Sequence, residues 1–115
     1  FLDTLKNNRS KRIRIFNISS GAAKRPIIGW SIYCSTKSAN EMFFNTLKLQ
    51  EENNKHIEVH NLDPGVMDTD MQKNIRSKTE KIMPNIELFK EFHKTEQLKS
   101  VQEVALNIVS TYNIL

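Results

Sequence analysis

Tyr33 and Lys37 are the two residues of this sequence whose types and spacing are best suited to chemistry. They stand four positions apart in a long helical pattern, so both side chains project from one face of the helix. A positive charge beside a phenol favours the phenolate, and a phenol with a lowered pKa can serve as a general acid near neutral pH. The pair is weak evidence on its own, because the same spacing occurs by chance on many surface helices.

Ser20 strengthens the interpretation, since it lies thirteen residues before Tyr33 in the loop between a predicted strand and the helix. A second predicted strand ends in the segment DPGVMDT, residues 63–69. The carboxyl ends of parallel strands lie at one edge of a sheet, and ligands bind there. We therefore predict that Ser20, Tyr33 and Lys37 face a common crevice. Pro64 and Gly65 would allow a tight turn that brings the backbone close to a flat ligand ring.

The elements that must position these residues follow from hydrophobic periodicity. Residues 12–18 and 56–62 alternate as strands, while residues 19–30 form a loop and residues 31–54 form the longest helix. Its apolar residues form a broad stripe, which predicts contact with more than one neighbour. Strand, helix and strand in this order imply a parallel crossover. The tail of a helix at residues 1–8, short helical segments after Gly65 and at 86–92, and a final helix capped by Ser100 and Glu103 complete the prediction.

Composition limits the alternatives. The chain of 115 residues suffices for one domain at most. Its net charge of +4 is spread along the chain, whereas a nucleic-acid interface would concentrate it, so we expect no nucleic-acid partner. A single cysteine and three scattered histidines predict neither a disulfide nor a metal site. With no long apolar run, we expect a soluble cytoplasmic protein without a membrane contact.

Three motifs carry a resemblance to a known family. NISSGAA at residues 17–23, YCSTK at 33–37 and PGVMDT at 64–69 together resemble the second half of the short-chain dehydrogenase/reductase family. The longer segments around them are similar to bacterial benzil reductases that form (S)-benzoin and to sepiapterin reductases. The resemblance implies an α/β fold: a fragment of a doubly wound parallel, Rossmann-like sheet. Residues 1–115 would be a partial domain that lacks the glycine-rich cofactor-binding half and the last strand.

The resemblance also implies a reaction, in which NADPH delivers a hydride to the carbonyl carbon of a ketone or a 1,2-diketone. Tyr33 would be the general acid, and Ser20 and Lys37 the other catalytic residues. Ser20, Trp30 and Met71 are the expected substrate contacts. The expected cofactor contacts are Ile18, Ser19, Tyr33, Lys37, Pro64, Gly65, Val66 and Thr69.

Two other functions remain open. One is the reduction of a pterin side-chain ketone by the same residues. The other is a non-catalytic interaction module, in which the helix at 31–54 serves mainly to form a homodimer or homotetramer. We expect the 115 residues by themselves to be inactive, since the resemblance places the glycine-rich turn and a catalytic asparagine upstream of Phe1.

Overall fold

The computed structural model describes residues 12–114. The helix predicted at residues 1–8 lies outside the described residues. Of the described residues, 12–26 and 32–63 form one compact unit, and 27–31 with 64–114 form a second. The first unit holds all three predicted catalytic residues.

The first unit is a strand, helix and strand crossover. Strand β1 covers Ile13–Ile18, helix α1 covers Ser31–Gln50 and strand β2 covers Ile57–Leu62. The two strands pair in parallel with Ile13 opposite Ile57 and Ile18 opposite Leu62, so they end together at the same edge. This confirms the predicted parallel crossover and the α/β class. One face of the sheet packs against α1 through Leu47, Ile57 and Val59, which are all buried.

Helix α1 ends at Gln50, four residues before the predicted end at 54. The reason lies in Asn54, whose side-chain amide donates to the Glu51 carboxylate (3.0 Å) and whose side-chain oxygen accepts from the backbone N–H of His56 (3.1 Å). Short polar side chains of this kind compete with helical hydrogen bonds and stabilise turns. The helix predicted at 31–54 is therefore shorter by one turn.

The loop after β1 also differs from the prediction, because it contains a short 3-10 helix, Gly21–Ala23. Ser20 begins it: its backbone is extended, and its hydroxyl oxygen accepts from the N–H of Ala22 (3.2 Å). This is the side-chain capping typical of a helix start. The predicted catalytic serine is thus held in place by the first turn of its own loop.

The second unit contains three helices, α2 (Asp70–Arg76), α3 (Ile86–Lys94) and α4 (Val101–Thr111). Ser100 caps α4 by accepting from the N–H of Glu103 (3.0 Å), as the sequence predicted. The core combines buried aliphatic residues with stacked Trp30 and Phe89, whose ring centroids lie 5.4 Å apart. Among residues 12–114, none of the helices is both long and apolar enough to cross a membrane.

Candidate active site

Lys37 contacts the carboxyl end of strand β1. Its ammonium nitrogen lies 6.0 Å from the centroid of the Tyr33 ring, as the four-residue spacing on a helix predicts. The same nitrogen donates to the backbone carbonyl of Ile18, the last residue of β1, at 3.1 Å. One side chain therefore connects the phenol on the helix with the end of the strand. Ammonium groups at this distance from an aromatic ring interact favourably with its face.

Ser20 follows Ile18 by two residues and lies in the same unit. Because its hydroxyl oxygen accepts from Ala22, its hydroxyl proton remains available for donation to another acceptor. The loop that carries it is fastened to α1, since the Ser38 hydroxyl donates to the carbonyl of Ala23 (2.8 Å). The start of the helix and the serine loop are thus held together near the end of β1.

The end of β2 lies beside this loop. The N–H of Ser19 donates to the carbonyl of Leu62 (2.7 Å), which extends the pairing of the strands beyond their last residues. A Cβ at Gly21 would lie 3.6 Å from the Asp63 carboxylate. The residues that follow β1 therefore lie beside Leu62 and Asp63 at the end of β2, as predicted from the parallel order of the strands.

Ser19 is 5 % exposed, and its hydroxyl donates to the carboxylate of Glu41 on α1. The same carboxylate lies 3.6 Å from the ammonium of Lys24. Glu41 is a residue that the sequence pattern did not single out. Its position four residues after Lys37 places it on the same face of the helix, and that spacing was the available signal.

The predicted contacts from the second unit lie in well-defined local structures. Gly65 has a positive φ of +73°, a backbone conformation that glycine adopts readily. Thr69 caps α2, because its hydroxyl accepts from the N–H of Gln72 (3.3 Å). Two backbone hydrogen bonds join the segment between them to Lys99. The N–H of Asp68 donates to the carbonyl of Lys99 (2.9 Å), and the N–H of Lys99 donates to the carbonyl of Val66 (3.2 Å).

Trp30 and Met71, the predicted substrate contacts, differ in exposure. Trp30 is 9 % exposed, and its indole N–H points to the sulfur of Met83 (3.0 Å) while the ring stacks on Phe89. The indole therefore packs within the second unit, and its role toward a substrate stays a prediction. Met71, in the first turn of α2, is 46 % exposed.

The part of the chain that the structure describes contains no group of three or more histidine, cysteine, aspartate or glutamate residues placed to hold a metal ion. The cysteine thiol of Cys34 is half-buried and directed to the carbonyl of Arg25 (3.9 Å). Tyr33, Ser20 and Lys37 carry a phenol, a hydroxyl and an ammonium group, each of which can donate a hydrogen bond.

Comparison with known proteins identifies the family to which the chain is similar. The profile of the short chain dehydrogenase family matches residues 1–80. A benzil reductase ((S)-benzoin forming) of Bacillus subtilis is 40% identical over 97 residues, which cover 84% of this chain and 40% of that protein. A sepiapterin reductase of Xenopus tropicalis is 42% identical over 65 residues, 56% of this chain and 24% of that protein. The chain spans about two fifths of the length of the Bacillus relatives it matches.

Solved structures show the same fold. The crystal structure of the KRED1-Pglu enzyme superposes with a TM-score of 0.76 at 29% sequence identity, over 95% of this chain and 45% of that one. A short chain dehydrogenase/reductase of Saccharomyces cerevisiae superposes with a TM-score of 0.69 at 26% identity. The parallel crossover is therefore part of a Rossmann-like α/β fold, and the chain belongs to the short chain dehydrogenase family.

Proposed function

We propose that the protein containing this chain is a carbonyl reductase that uses NADPH to reduce a ketone or a 1,2-diketone of the benzil type. The observation that carries the proposal is the Lys37 ammonium, which reaches both the Tyr33 ring and the carbonyl of Ile18 at the carboxyl edge of the parallel sheet. The names of the Bacillus relatives support the choice of substrate.

Residues of each unit suit a nicotinamide cofactor. Lys37 has three donors, and a donor beyond the one directed to Ile18 can bind ribose hydroxyls. At Gly65 a Cβ would meet no described atom within 4 Å, so a flat ring can approach the backbone there. Cofactor contacts are assigned in the first unit to Ile18, Ser19, Tyr33 and Lys37, and in the second unit to Pro64, Gly65, Val66 and Thr69.

When bound, the cofactor supplies the hydride that reduces the carbonyl carbon. Tyr33 donates its phenolic proton to the carbonyl oxygen, while the Ser20 hydroxyl donates a hydrogen bond to the same oxygen. That bond strengthens as negative charge develops on the oxygen, so it stabilises the transition state more than the bound ketone. Lys37 holds a positive charge 6.0 Å from the centroid of the Tyr33 ring, and it keeps the start of α1 bound to the end of β1 through the carbonyl of Ile18. Trp30 and Met71 are assigned to the substrate wall.

The test is NADPH oxidation by the purified full-length protein with benzil as substrate, followed by identification of benzoin as product. Substitution Tyr33→Phe removes the proton donor and keeps the ring, so we expect kcat to fall by at least about 100-fold. Tyr112→Phe is the matched control, because it makes the same change at the only other tyrosine of the chain. Absence of turnover, or full turnover by Tyr33→Phe, would overturn the proposal.

The same assay distinguishes the remaining substrate and cofactor choices. A higher kcat/KM with sepiapterin than with benzil would assign the protein to the pterin ketone reductases. A higher kcat/KM with NADH than with NADPH would show that NADH is the cofactor. We assign the activity to a protein of the relatives' full length. Residues 1–115 by themselves are expected to be inactive, because the described part contains a sheet of only two strands.

A second function, self-association through α1, is favoured by its exposed apolar residues. Ile32, Met42, Phe43 and Leu49 are exposed by 57 % or more. We propose that this face forms a homodimer or homotetramer of a cytoplasmic protein. Phe44 packs against the sheet, so Phe43 is the better position for a test. If Phe43→Glu abolishes assembly while Tyr33→Phe leaves reduction intact, the result favours the interaction module, in which α1 serves mainly for self-association.

A further inference from the structure

We infer that Asn17 is a positioning residue for the reaction, because its side chain joins the ends of both strands to helix α1 near Tyr33 and Lys37. The inference rests on the proposed function, since its effect is read through catalysis. Asn17 is the penultimate residue of β1 and is 6 % exposed.

Four asparagine side chains form a continuous network around this position. The Asn17 side-chain oxygen accepts from the Asn40 amide (3.1 Å), and the Asn17 amide donates to the side-chain oxygen of Asn61 (2.7 Å). The Asn61 amide donates in turn to the side-chain oxygen of Asn45 (2.8 Å). It also lies 3.4 Å from the backbone carbonyl of Glu41. Asn17 and Asn61 are paired residues of the two strands, so the network spans β1, β2 and two turns of α1.

The apolar contacts elsewhere between α1 and the sheet do not fix the position of the helix in the same way. Burial of Leu47 against Ile57 and Val59 is non-directional, and it tolerates small shifts of the helix along its axis. Amide hydrogen bonds require donor and acceptor within about 3.2 Å and near-linear geometry. A slide of α1 by even a fraction of its roughly 5.4 Å pitch would break the bonds made by Asn40 and Asn45.

The network lies close to the predicted catalytic pair. Asn40 follows Lys37 by three residues, so the two side chains are neighbours on the same face of α1. Asn17 precedes Ile18, whose carbonyl accepts from Lys37. The hydrogen bond between Asn40 and Asn17 and the one between Lys37 and Ile18 therefore connect the same two elements one helical turn apart. Loss of the first removes one of the directional bonds between α1 and β1 and would shift the phenol relative to the strand end.

The experiment compares Asn17→Leu with Ile57→Val in the full-length protein, using NADPH oxidation over a range of benzil concentrations that gives both kcat and KM. Asn17→Leu keeps the approximate side-chain size and removes both hydrogen bonds. We expect its kcat to fall at least about tenfold with KM for benzil changed less than about twofold, because a misplaced proton donor affects the chemical step rather than binding. Ile57→Val trims the apolar contact of the same helix and should retain kcat within about twofold.

If Asn17→Leu does not fold, Asn40→Ala serves as a second variant. It breaks only the bond between α1 and Asn17 and leaves the pairing of Asn17 with Asn61 intact. We expect a fall in kcat of about threefold at unchanged KM. A kcat equal to that of Ile57→Val for the folded Asn17 or Asn40 variant would overturn the inference while leaving the proposed function in place. Absence of turnover by the unsubstituted protein would overturn the proposed function, and this inference with it.

Discussion

Helix α1 contacts the sheet in two regions of opposite character. Toward the C-terminal end of the helix, Leu47 packs with Ile57 and Val59 in an apolar cluster. Toward the carboxyl edge of the sheet, the contacts are polar: Lys37 reaches the end of β1, Ser19 binds Glu41 and the asparagine network links the strands to the helix. The same helix thus meets the same two strands through dispersion and burial at one end and through directional bonds at the other.

The two kinds of contact have different consequences: the apolar contacts mainly stabilise the folded state, and the polar contacts mainly fix the position of α1. A buried leucine stabilises the folded state by about 1.5–3 kcal/mol relative to exposure, and it does so without fixing an orientation. A neutral hydrogen bond contributes only about 1 kcal/mol net, but a broken buried bond leaves a donor or acceptor unsatisfied. Substitutions in the apolar region should therefore lower the free energy of unfolding, and those in the polar region should mainly change the position of the groups assigned to proton transfer.

The largest expected change in stability is that of Leu47→Ala in the apolar region. Leu47 is 2 % exposed, so removal of its side chain leaves a cavity, and we expect a loss of about 2–5 kcal/mol in the free energy of unfolding. Urea denaturation of the full-length protein measures it. Leu106→Ala is the matched control, because Leu106 is 68 % exposed on α4 and its substitution should cost less than about 0.5 kcal/mol.

The same pair tests whether the two regions are separable. The folded fraction of Leu47→Ala should retain kcat within about twofold, since non-directional packing is not expected to orient the proton donor. Equal losses for Leu47→Ala and Leu106→Ala would contradict the assignment of the core. A large loss of kcat in a folded Leu47→Ala protein would contradict the separation of stability from geometry.

A smaller effect is expected for Ser19→Ala in the polar region. The buried hydroxyl donates to the Glu41 carboxylate, and its loss leaves a carboxylate whose side chain is 14% exposed with Lys24 at 3.6 Å. We expect a loss on the order of 1.5 kcal/mol, the usual range for a hydrogen bond to a charged group. Ser35→Ala, an exposed serine on α1, is the control for urea denaturation. If both variants are equally stable, the Ser19 hydroxyl is not a structural donor.

Much of the fold could be predicted because it depends on local patterns. The alternation of apolar residues located β1 and β2 within one residue of their observed bounds, and the order of elements predicted their parallel pairing. The four-residue spacing placed Lys37 near the Tyr33 ring without reference to any other element. Features of this kind require only the geometry of a single helix or strand.

The remaining features depend on how elements meet. The asparagines at 17 and 61 resemble turn residues in the sequence, and only the register of the strands shows that they are opposite each other. Their common position, one residue before each strand end, was a signal that could have suggested the pair. The early end of α1 depends on the side chain of Asn54, which competes with the backbone in a manner that periodicity does not reveal. Likewise, the stacking of Trp30 on Phe89 depends on the folded second unit, and local periodicity does not reveal it.

The smallest predicted change in stability concerns the ion pair between Arg12 and Glu58, on the face of the sheet opposite α1. The Arg12 guanidinium hydrogen-bonds the Glu58 carboxylate, and this bond, with the positive charges of Arg12 and His60, lowers the pKa of Glu58 against the opposing effect of desolvation. Since the folded-state pKa is lowered, the pair stabilises the protein above the usual glutamate pKa of about 4.3. That contribution is lost as the pH falls through the lower folded-state value.

Arg12→Met should therefore reduce the urea midpoint slightly at neutral pH, and the difference from the unsubstituted protein should vanish in acid. The measurement is a series of urea denaturation curves from about pH 7 to about pH 3 at low ionic strength, where surface ion pairs are least screened. Lys55→Met removes an exposed positive charge near the start of β2, the strand that carries Glu58, and is the control for net charge. A difference that persists or grows in acid would show that Arg12 acts through packing of its side chain, because the charge of Glu58 is then neutralised.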